Sequence, residues 1–226
     1  YEAPPLVCFL ERGHGAAIRK SRTRLPGGEM NPVAVIQVPR ERMVSSGIAS
    51  SLIHEVGHQG AAQLNLVSTL RLKIKEVMED SENKLPWELY SRWISEIIAD
   101  FWSMAHLGIG ATVGLINVVS LPKYFMFRIK MDDPHPFPWI RVMLSISFGK
   151  AMYPGEQWNK LEQLWYDMYP LEELNDDIQQ TIHSLTEILP EFANLVMQHR
   201  TKETRGIKLA EIFPYRQRQP HTLRAL

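Results

Sequence analysis

The residues best suited to chemistry lie in the segment 51–58, which reads SLIHEVGH. His54 and His58 are four positions apart, so on a helix their imidazoles project from one face, about one turn apart. This spacing suits two ligands of one tetrahedral zinc ion. Glu55 can act as a general base on a water at the metal, but it cannot readily reach the metal itself. The segment predicts a zinc site with a catalytic glutamate; the alternative is a chance pattern on an ordinary helix.

A third ligand is available in the segment 95–100, which reads SEIIAD. Glu96 and Asp100 share one helical face, where two like charges repel each other by roughly 0.2–0.5 kcal/mol. A metal and a nearby histidine would remove that repulsion. We predict that Glu96 binds the zinc and that Asp100 accepts the outer N–H of a ligand histidine and fixes its tautomer. The alternative is a solvated acidic face.

Together these motifs resemble the gluzincin clan of zinc metallopeptidases, in which two histidines and a downstream glutamate hold the zinc. The ExxAD form at Glu96 is most similar to the CAAX prenyl protease and HtpX-like group. That group commonly carries a histidine, a proline, four residues and an arginine, and His135, Pro136 and Arg141 match this pattern. The resemblance covers about residues 50–141. Membrane members of the group carry clear transmembrane helices that this chain lacks, so we infer no prenyl specificity.

The resemblance implies a zinc metalloendopeptidase that holds one Zn²⁺ per chain and acts on a peptide or protein. The candidate donors to the oxyanion are His135, Arg141 and Tyr124, in that order. The alternative for His135 is a turn residue between prolines, and the alternative for Arg141 is a structural salt bridge. In the resembling proteases an edge strand before the active-site helix pairs with an extended substrate, and residues 33–38 lie where that strand belongs.

Two other functions stay open at this point. The same site could serve a zinc hydrolase of a non-peptide amide or ester, or the chain could be an inactive helical interaction domain derived from a protease. Several small gluzincins are held inactive by an extra ligand from a tail or loop, which Cys8, Glu11, Glu29 or His221 could supply here. For Cys8 we favour a free, buried thiol over this role.

The composition excludes several classes of protein. The chain has 226 residues, with 25 basic and 25 acidic side chains and a formal net charge of zero, which argues against a nucleic-acid partner. Its one cysteine excludes an intrachain disulfide and cysteine-rich metal sites, and it favours a reducing compartment such as the cytoplasm. No signal peptide is visible. Because the chain begins with Tyr1, we expect a processed or excised segment, such as one domain of a larger protein.

The pattern along the chain predicts a mainly helical α+β domain of the zincin type, with a small N-terminal sheet and an active-site helix. We expect one domain over 1–226. It comprises a loop and strand region at 1–42, the zinc-binding core at 43–150, and C-terminal helices with a basic tail at 151–226. Oligomeric state is not predicted.

Individual elements follow from periodicity and from helix start and stop signals. The β-branched run at 33–38 predicts a strand, and its flanking prolines favour a sheet edge. Residues 101–122 carry no charged side chain, but they are interrupted by His106 and Asn117, so we expect a buried core helix rather than a membrane span. The other predicted helices run from Ser45 or Ser46 to Gly60, over 67–78, from Pro86 to His106, over 158–168 and over 174–185, before a frayed or packed tail.

Overall fold

The computed structural model of the protein describes residues 4–12, 16–43, 47, 49–130 and 133–225. Helices hold 62% of the residues, and the sheet has three strands, which confirms the predicted mainly helical α+β class. No helix in the described part of the chain has both the length and the apolar character that crossing a membrane requires.

The small sheet lies near the N-terminus and has the strand order β1-β3-β2. Strand β1 (Leu6–Glu11) pairs parallel to β3 (Ala34–Pro39), and β2 (Ala17–Arg19) pairs antiparallel to it. The strand predicted over 33–38 is confirmed as β3, but its predicted place at a sheet edge is wrong, because β3 lies between β1 and β2. Pro39 closes the strand at its last residue and Pro32 precedes its start, so neither proline disrupts the ladder within it.

The helices follow one another through the rest of the chain. The helices predicted over 67–78, 158–168 and 174–185 are confirmed within two residues at most ends, because each buries an apolar stripe. The two candidate caps, Ser45 and Ser46, lie outside the described residues. The bounds are α1 Ser50–Gln63, α2 Leu66–Asp80, α3 Leu85–Leu107, α4 Ile109–Val119, α5 Lys123–Met126, α6 Pro138–Met152, α7 Glu156–Met168, α8 Asp176–Glu187, α9 Leu189–Gln198, α10 Leu209–Ile212 and α11 Pro220–Leu223.

Two boundaries differ from the expectation. The uncharged stretch 101–122 is not one helix, because Gly108 adopts φ +58° and separates α3 from α4. Helix α1 does not stop at Gly60 but continues to Gln63. This glycine lies against α3, where an added Cβ would come within 2.5 Å of Trp102 Cη2. Gly60 is therefore needed for close packing and not for a helix end.

The core sits around α3, whose 23 residues contact α1, α2 and α6. Its buried side chains include Trp93, Ile97 and Phe101, each at most 1% exposed. The C-terminal segment packs onto this body, which settles the choice between a frayed and a packed tail. Phe213 is buried, and Arg218 Nη1 donates to the carbonyl oxygen of His106 at 3.0 Å.

Candidate metal centre

Two helices bring the candidate ligands together. His54 and His58 lie one turn apart on α1, with ring centroids 4.8 Å apart. Glu96, on α3, faces both of them: its Oε2 lies 3.4 Å from His54 Nε2, and its Oε1 lies 3.4 Å from His58 Nε2. One ligand atom from each of the three residues lies within 4.8 Å of the others. The geometry can therefore accommodate one metal ion between the two helices.

The close approach of α1 to α3 depends on a glycine inside the motif. A Cβ on Gly57 would lie 2.8 Å from Trp102 Cβ and 2.9 Å from the Cα of Ala99, so both neighbours would have to shift. With hydrogen there instead, the helices approach closely enough for imidazoles on α1 to meet carboxylates on α3. The HEVGH segment thus supplies the ligands and also the packing that positions them.

Asp100 contacts His54 at the ring nitrogen that does not face Glu96. Its Oδ1 lies 2.7 Å from His54 Nδ1, which fixes Nδ1 as the protonated nitrogen and leaves Nε2 facing Glu96. This is the role predicted for Asp100. The same carboxylate accepts from Arg141 Nη2 at 2.9 Å and from Arg141 Nε at 2.5 Å. The geometry favours the structural salt bridge for Arg141 over a donor to the oxyanion.

The contact between Arg141 and Asp100 was not predicted from the sequence, although the sequence did indicate that Asp100 needs a partner. A carboxylate placed among Ile97, Ile98 and Phe101 is buried, and buried carboxylates require a cationic or hydrogen-bonding partner. Arg141 was within the matching motif, but nothing in its spacing from Asp100, 41 positions away, indicated that the two would meet.

The charged groups of the centre shift one another's pKa. Burial lowers the pKa of the His54 imidazole, but Asp100 and then Glu96 outweigh it and raise the value to about 9. Burial raises the pKa of the Glu96 carboxyl, yet hydrogen bonds from His54 and His58 hold it well below its usual range. Burial likewise acts against ionisation of Asp100, and Arg141 and His54 lower its pKa to about 2. Because Asp100 and Glu96 keep a proton on the buried His54 in the metal-free centre, these carboxylates favour a positive charge at this position.

The predicted general base lies in the same cavity. Glu55 is 8% exposed and lines a space of about 280 Å³ together with His54, His58 and Glu96. The carboxylates of Glu55, Glu96 and Asp100 and the guanidinium of Arg141 all line this space, so with neutral imidazoles their formal charges sum to −2. A divalent cation would balance that charge, which fits a metal ion at this position.

His135 lies at the opening of the centre and is held by one carboxylate. Asp133 Oδ1 lies 2.9 Å from His135 Nδ1 and also accepts the backbone N–H of His135 at 2.9 Å. His135 Nε2 lies 3.5 Å from Glu96 Oε2. Asp133 was not singled out from the sequence, although an aspartate before a proline favours a turn in which its carboxylate accepts the backbone N–H two residues on.

Other candidates lie elsewhere. Tyr124 is 74% exposed on α5 and does not line the cavity, so it is not brought to the centre. His106 packs its ring against Trp102 and Phe213 and lines a different cavity. Cys8 is exposed on β1, so the expectation of a buried thiol is wrong.

None of the four residues predicted as an additional ligand from a tail or loop lines the cavity of the centre. Among the described residues, the only group of histidine, cysteine and carboxylate side chains that could hold a metal is His54, His58 and Glu96. That group does not include Cys8, Glu11, Glu29 or His221.

No protein-family model, curated protein or solved structure matches the chain. The resemblance to gluzincins therefore rests on the sequence motifs at 54–58, 96–100 and 135–141 alone.

Proposed function

We propose that this protein is a zinc-dependent peptidase. The observation that carries the proposal is the convergence of His54, His58 and Glu96 in one cavity with Glu55, a buried carboxylate that is not one of the three ligands. Two imidazoles and one carboxylate form a donor set that suits catalytic zinc, which keeps a further position for water or substrate. The net charge of the cavity lining supports a divalent ion.

Each residue then has a distinct role. Bound zinc would lower the pKa of a water molecule and polarise the scissile carbonyl. Glu55 takes a proton from the attacking water, whose oxygen joins the carbonyl carbon. The C–N bond breaks, and Glu55 passes the proton to the leaving nitrogen. As the imidazolium, with Nδ1–H donating to Asp133, His135 can also donate from Nε2 to the carbonyl oxygen as negative charge develops there.

The position of the sheet supports a peptide substrate over another amide or ester. Strand β2 lies at one edge of the sheet and contacts α1, and Ala16, directly before it, lines the cavity. An extended peptide that paired with the free edge of β2 would run past the metal centre. In this proposal β2 takes the role that the sequence assigned to residues 33–38.

The proposal also includes a reducing compartment such as the cytoplasm. Cys8 is the one cysteine of the chain and lies exposed, where an oxidising environment would make it available for pairing with another molecule.

Elemental analysis tests the metal, and a peptidase assay tests the reaction. We expect about one zinc per chain, lost in Glu96→Ala, because this change removes one of three ligands. Glu55→Gln should keep the zinc and lower turnover by about 10²–10⁴. Glu191→Gln, on the exposed side of α9, is the matched control and should change neither value. Folded protein that takes up no zinc, or full activity in Glu55→Gln, would refute the proposal.

A further inference from the structure

Part of the lining of the cavity at the metal centre differs in character from the candidate ligands. This part, which we name the hydroxyl chamber, is formed by residues with small side chains from four helices. Helices α1, α3 and α6 contribute serines, and α4 contributes an alanine and a glycine. The six residues are Ser50, Ser51, Ser103, Ala111, Gly114 and Ser145.

The backbone geometry at α4 explains part of this composition. A Cβ on Gly114 would lie 1.8 Å from the carbonyl oxygen of Gly47 and 2.6 Å from Ser50 Oγ. Helix α4 therefore lies directly against the turn before α1. Ala111, one turn earlier on α4, also has a small side chain and leaves room between the helices. The chamber is thus narrow. Backbone atoms and short side chains set its size, and such groups cannot move aside by changing rotamer.

The hydroxyl groups retain hydrogen-bonding capacity. Ser145 Oγ lies 2.7 Å from Oγ1 of the buried Thr112, and Ser103 Oγ donates to the carbonyl oxygen of Ser50 at 3.1 Å. Each hydroxyl can donate one hydrogen bond and accept two, so these contacts use only part of the set. Ser51 Oγ is shielded from solvent and has no hydrogen-bond partner among the residues that the structure describes. An unsatisfied buried hydroxyl costs free energy, and a rotation about χ1 would let a ligand hydroxyl satisfy it.

The hydroxyl chamber has no charged residue among its six. Of the charged residues elsewhere in the cavity lining, Asp100 and Arg141 are already joined to each other by two hydrogen bonds. A charged side chain entering the chamber would lose its hydration, and none of the six residues could offer it a counter-ion. At its rim, Leu115 and Val118 of α4 offer apolar surface to a short aliphatic group.

We propose that the hydroxyl chamber is a specificity subsite that receives a small, uncharged side chain next to the scissile bond. Alanine, serine and threonine fit its size, and the two hydroxyl-bearing residues can also use its hydrogen-bonding groups. The inference rests on the proposed peptidase function, because it assigns the chamber to the residue beside the cleaved bond. It adds a substrate class that the metal ligands alone do not define.

A cleavage-site profile tests this subsite directly. The zinc-loaded full chain is incubated with a peptide library prepared from a whole proteome, and the products are sequenced by mass spectrometry. We expect alanine, serine and threonine to dominate one of the two positions flanking the cut. Leucine, lysine and glutamate at that position should be cleaved at least about tenfold less efficiently, because the chamber is narrow and uncharged.

Two variants connect that preference to named residues. Leu115→Ala widens the rim and should raise cleavage beside valine and leucine by about fivefold or more relative to alanine. Ser51→Ala removes the unpartnered hydroxyl and should lower the ratio of serine to alanine by about fivefold, the effect of one hydrogen bond. Ser184→Ala, on α8 and outside the cavity lining, is the control and should leave the profile unchanged.

Binding gives a second readout that does not require turnover. Zinc-loaded Glu55→Gln is titrated with fluorescent peptides that differ only at the selected position, carrying serine, alanine, leucine or lysine. The order of Kd should match the order of cleavage. Cleavage with no preference at either position, or a preference that neither cavity variant alters, would overturn the subsite and leave the peptidase proposal standing. Bound zinc with neither cleavage nor peptide binding would overturn both.

Discussion

The two regions that meet at the metal centre differ in how they hold their functional residues. On the α1–α3 pair, the side chains of His54, His58 and Glu96 are 11–13% exposed, and each contacts at least one other charged or ligand group. The segment from Asp133 to Pro138, by contrast, carries His135, whose side chain is 52% exposed. Apart from its 3.5 Å approach to Glu96, this histidine is positioned by a single local carboxylate.

The difference in exposure matches two different tasks, which are the positioning of candidate metal ligands and the presentation of a hydrogen-bond donor. The helix pair positions ligands through backbone packing and a buried network, so their geometry is set before any metal arrives. In the proposed function, the exposed segment presents a hydrogen-bond donor to a substrate rather than a ligand to a metal, and local hydrogen bonds are sufficient to orient it. Changes in the helix pair should therefore affect stability and zinc affinity, whereas changes in the exposed segment should affect catalysis alone.

The largest effect on stability should come from removing the cation of the buried pair. Arg141→Met leaves the Asp100 carboxylate, 11% exposed, without the guanidinium that now donates to it twice. We expect a loss of about 3–5 kcal/mol in the free energy of unfolding, measured by urea denaturation. Adding Asp100→Asn should restore part of it, because no buried charge then remains unpaired. A loss below about 1 kcal/mol would show that solvent or another group compensates Asp100.

A smaller effect should follow from separating the two helices. In Gly57→Ala the new methyl group meets the Cα of Ala99 at 2.9 Å, and backbone cannot rotate away. We expect a loss of about 1–3 kcal/mol in the free energy of unfolding, with weaker zinc binding. Gly110→Ala on α4 is the matched control, since its Cβ would meet nothing within 4 Å, and it should be neutral or stabilising by up to about 1 kcal/mol. Equal effects in both variants would exclude helix separation as the cause.

The sequence predicted the helix pair far better than the segments around it. Periodicity and a fixed four-residue spacing are local properties, so the relation of His54 to His58 and of Glu96 to Asp100 could be read directly. The resemblance to gluzincins then indicated that the histidine pair and the carboxylate pair belong to one site. The glycine at position 57 could have been interpreted as a packing residue, but only the partner helix shows which side chains it meets.

Contacts distant in sequence could not be predicted in the same way. Strand β2 was not predicted because its three residues are too few for an alternating pattern, and the prolines that flank 33–38 wrongly indicated a sheet edge. Gly108 was visible, but glycine within an apolar stretch does not reveal whether its φ is positive. The hydroxyl chamber combines residues from 50 to 145, and no spacing rule connects them.

The stability of the metal-free protein should depend on pH through the protonation of His54 on α1. Because Asp100 and Glu96 raise the pKa of His54 from 6.5 to about 9, protonated His54 stabilises the folded metal-free protein. This contribution is fully present below about pH 6.5 and is lost as the pH rises through about 9. Zinc requires the neutral imidazole, so binding at pH 7 should release about one proton. Calorimetry in two buffers of different ionisation enthalpy measures it, and buffer-independent heat would contradict the prediction.

The smallest effect on stability should come from the exposed segment. His135→Ala removes a half-exposed ring, so the free energy of unfolding should change by less than about 0.5 kcal/mol, and the zinc content should stay the same. If His135 donates to the developing oxyanion, kcat should nevertheless fall by about 10²–10³. Asp133→Asn keeps an oxygen near Nδ1 but removes its charge, so the fall in kcat should be smaller and KM should change little. Loss of zinc in His135→Ala would instead make this histidine a fourth ligand, and the two regions would then share one task.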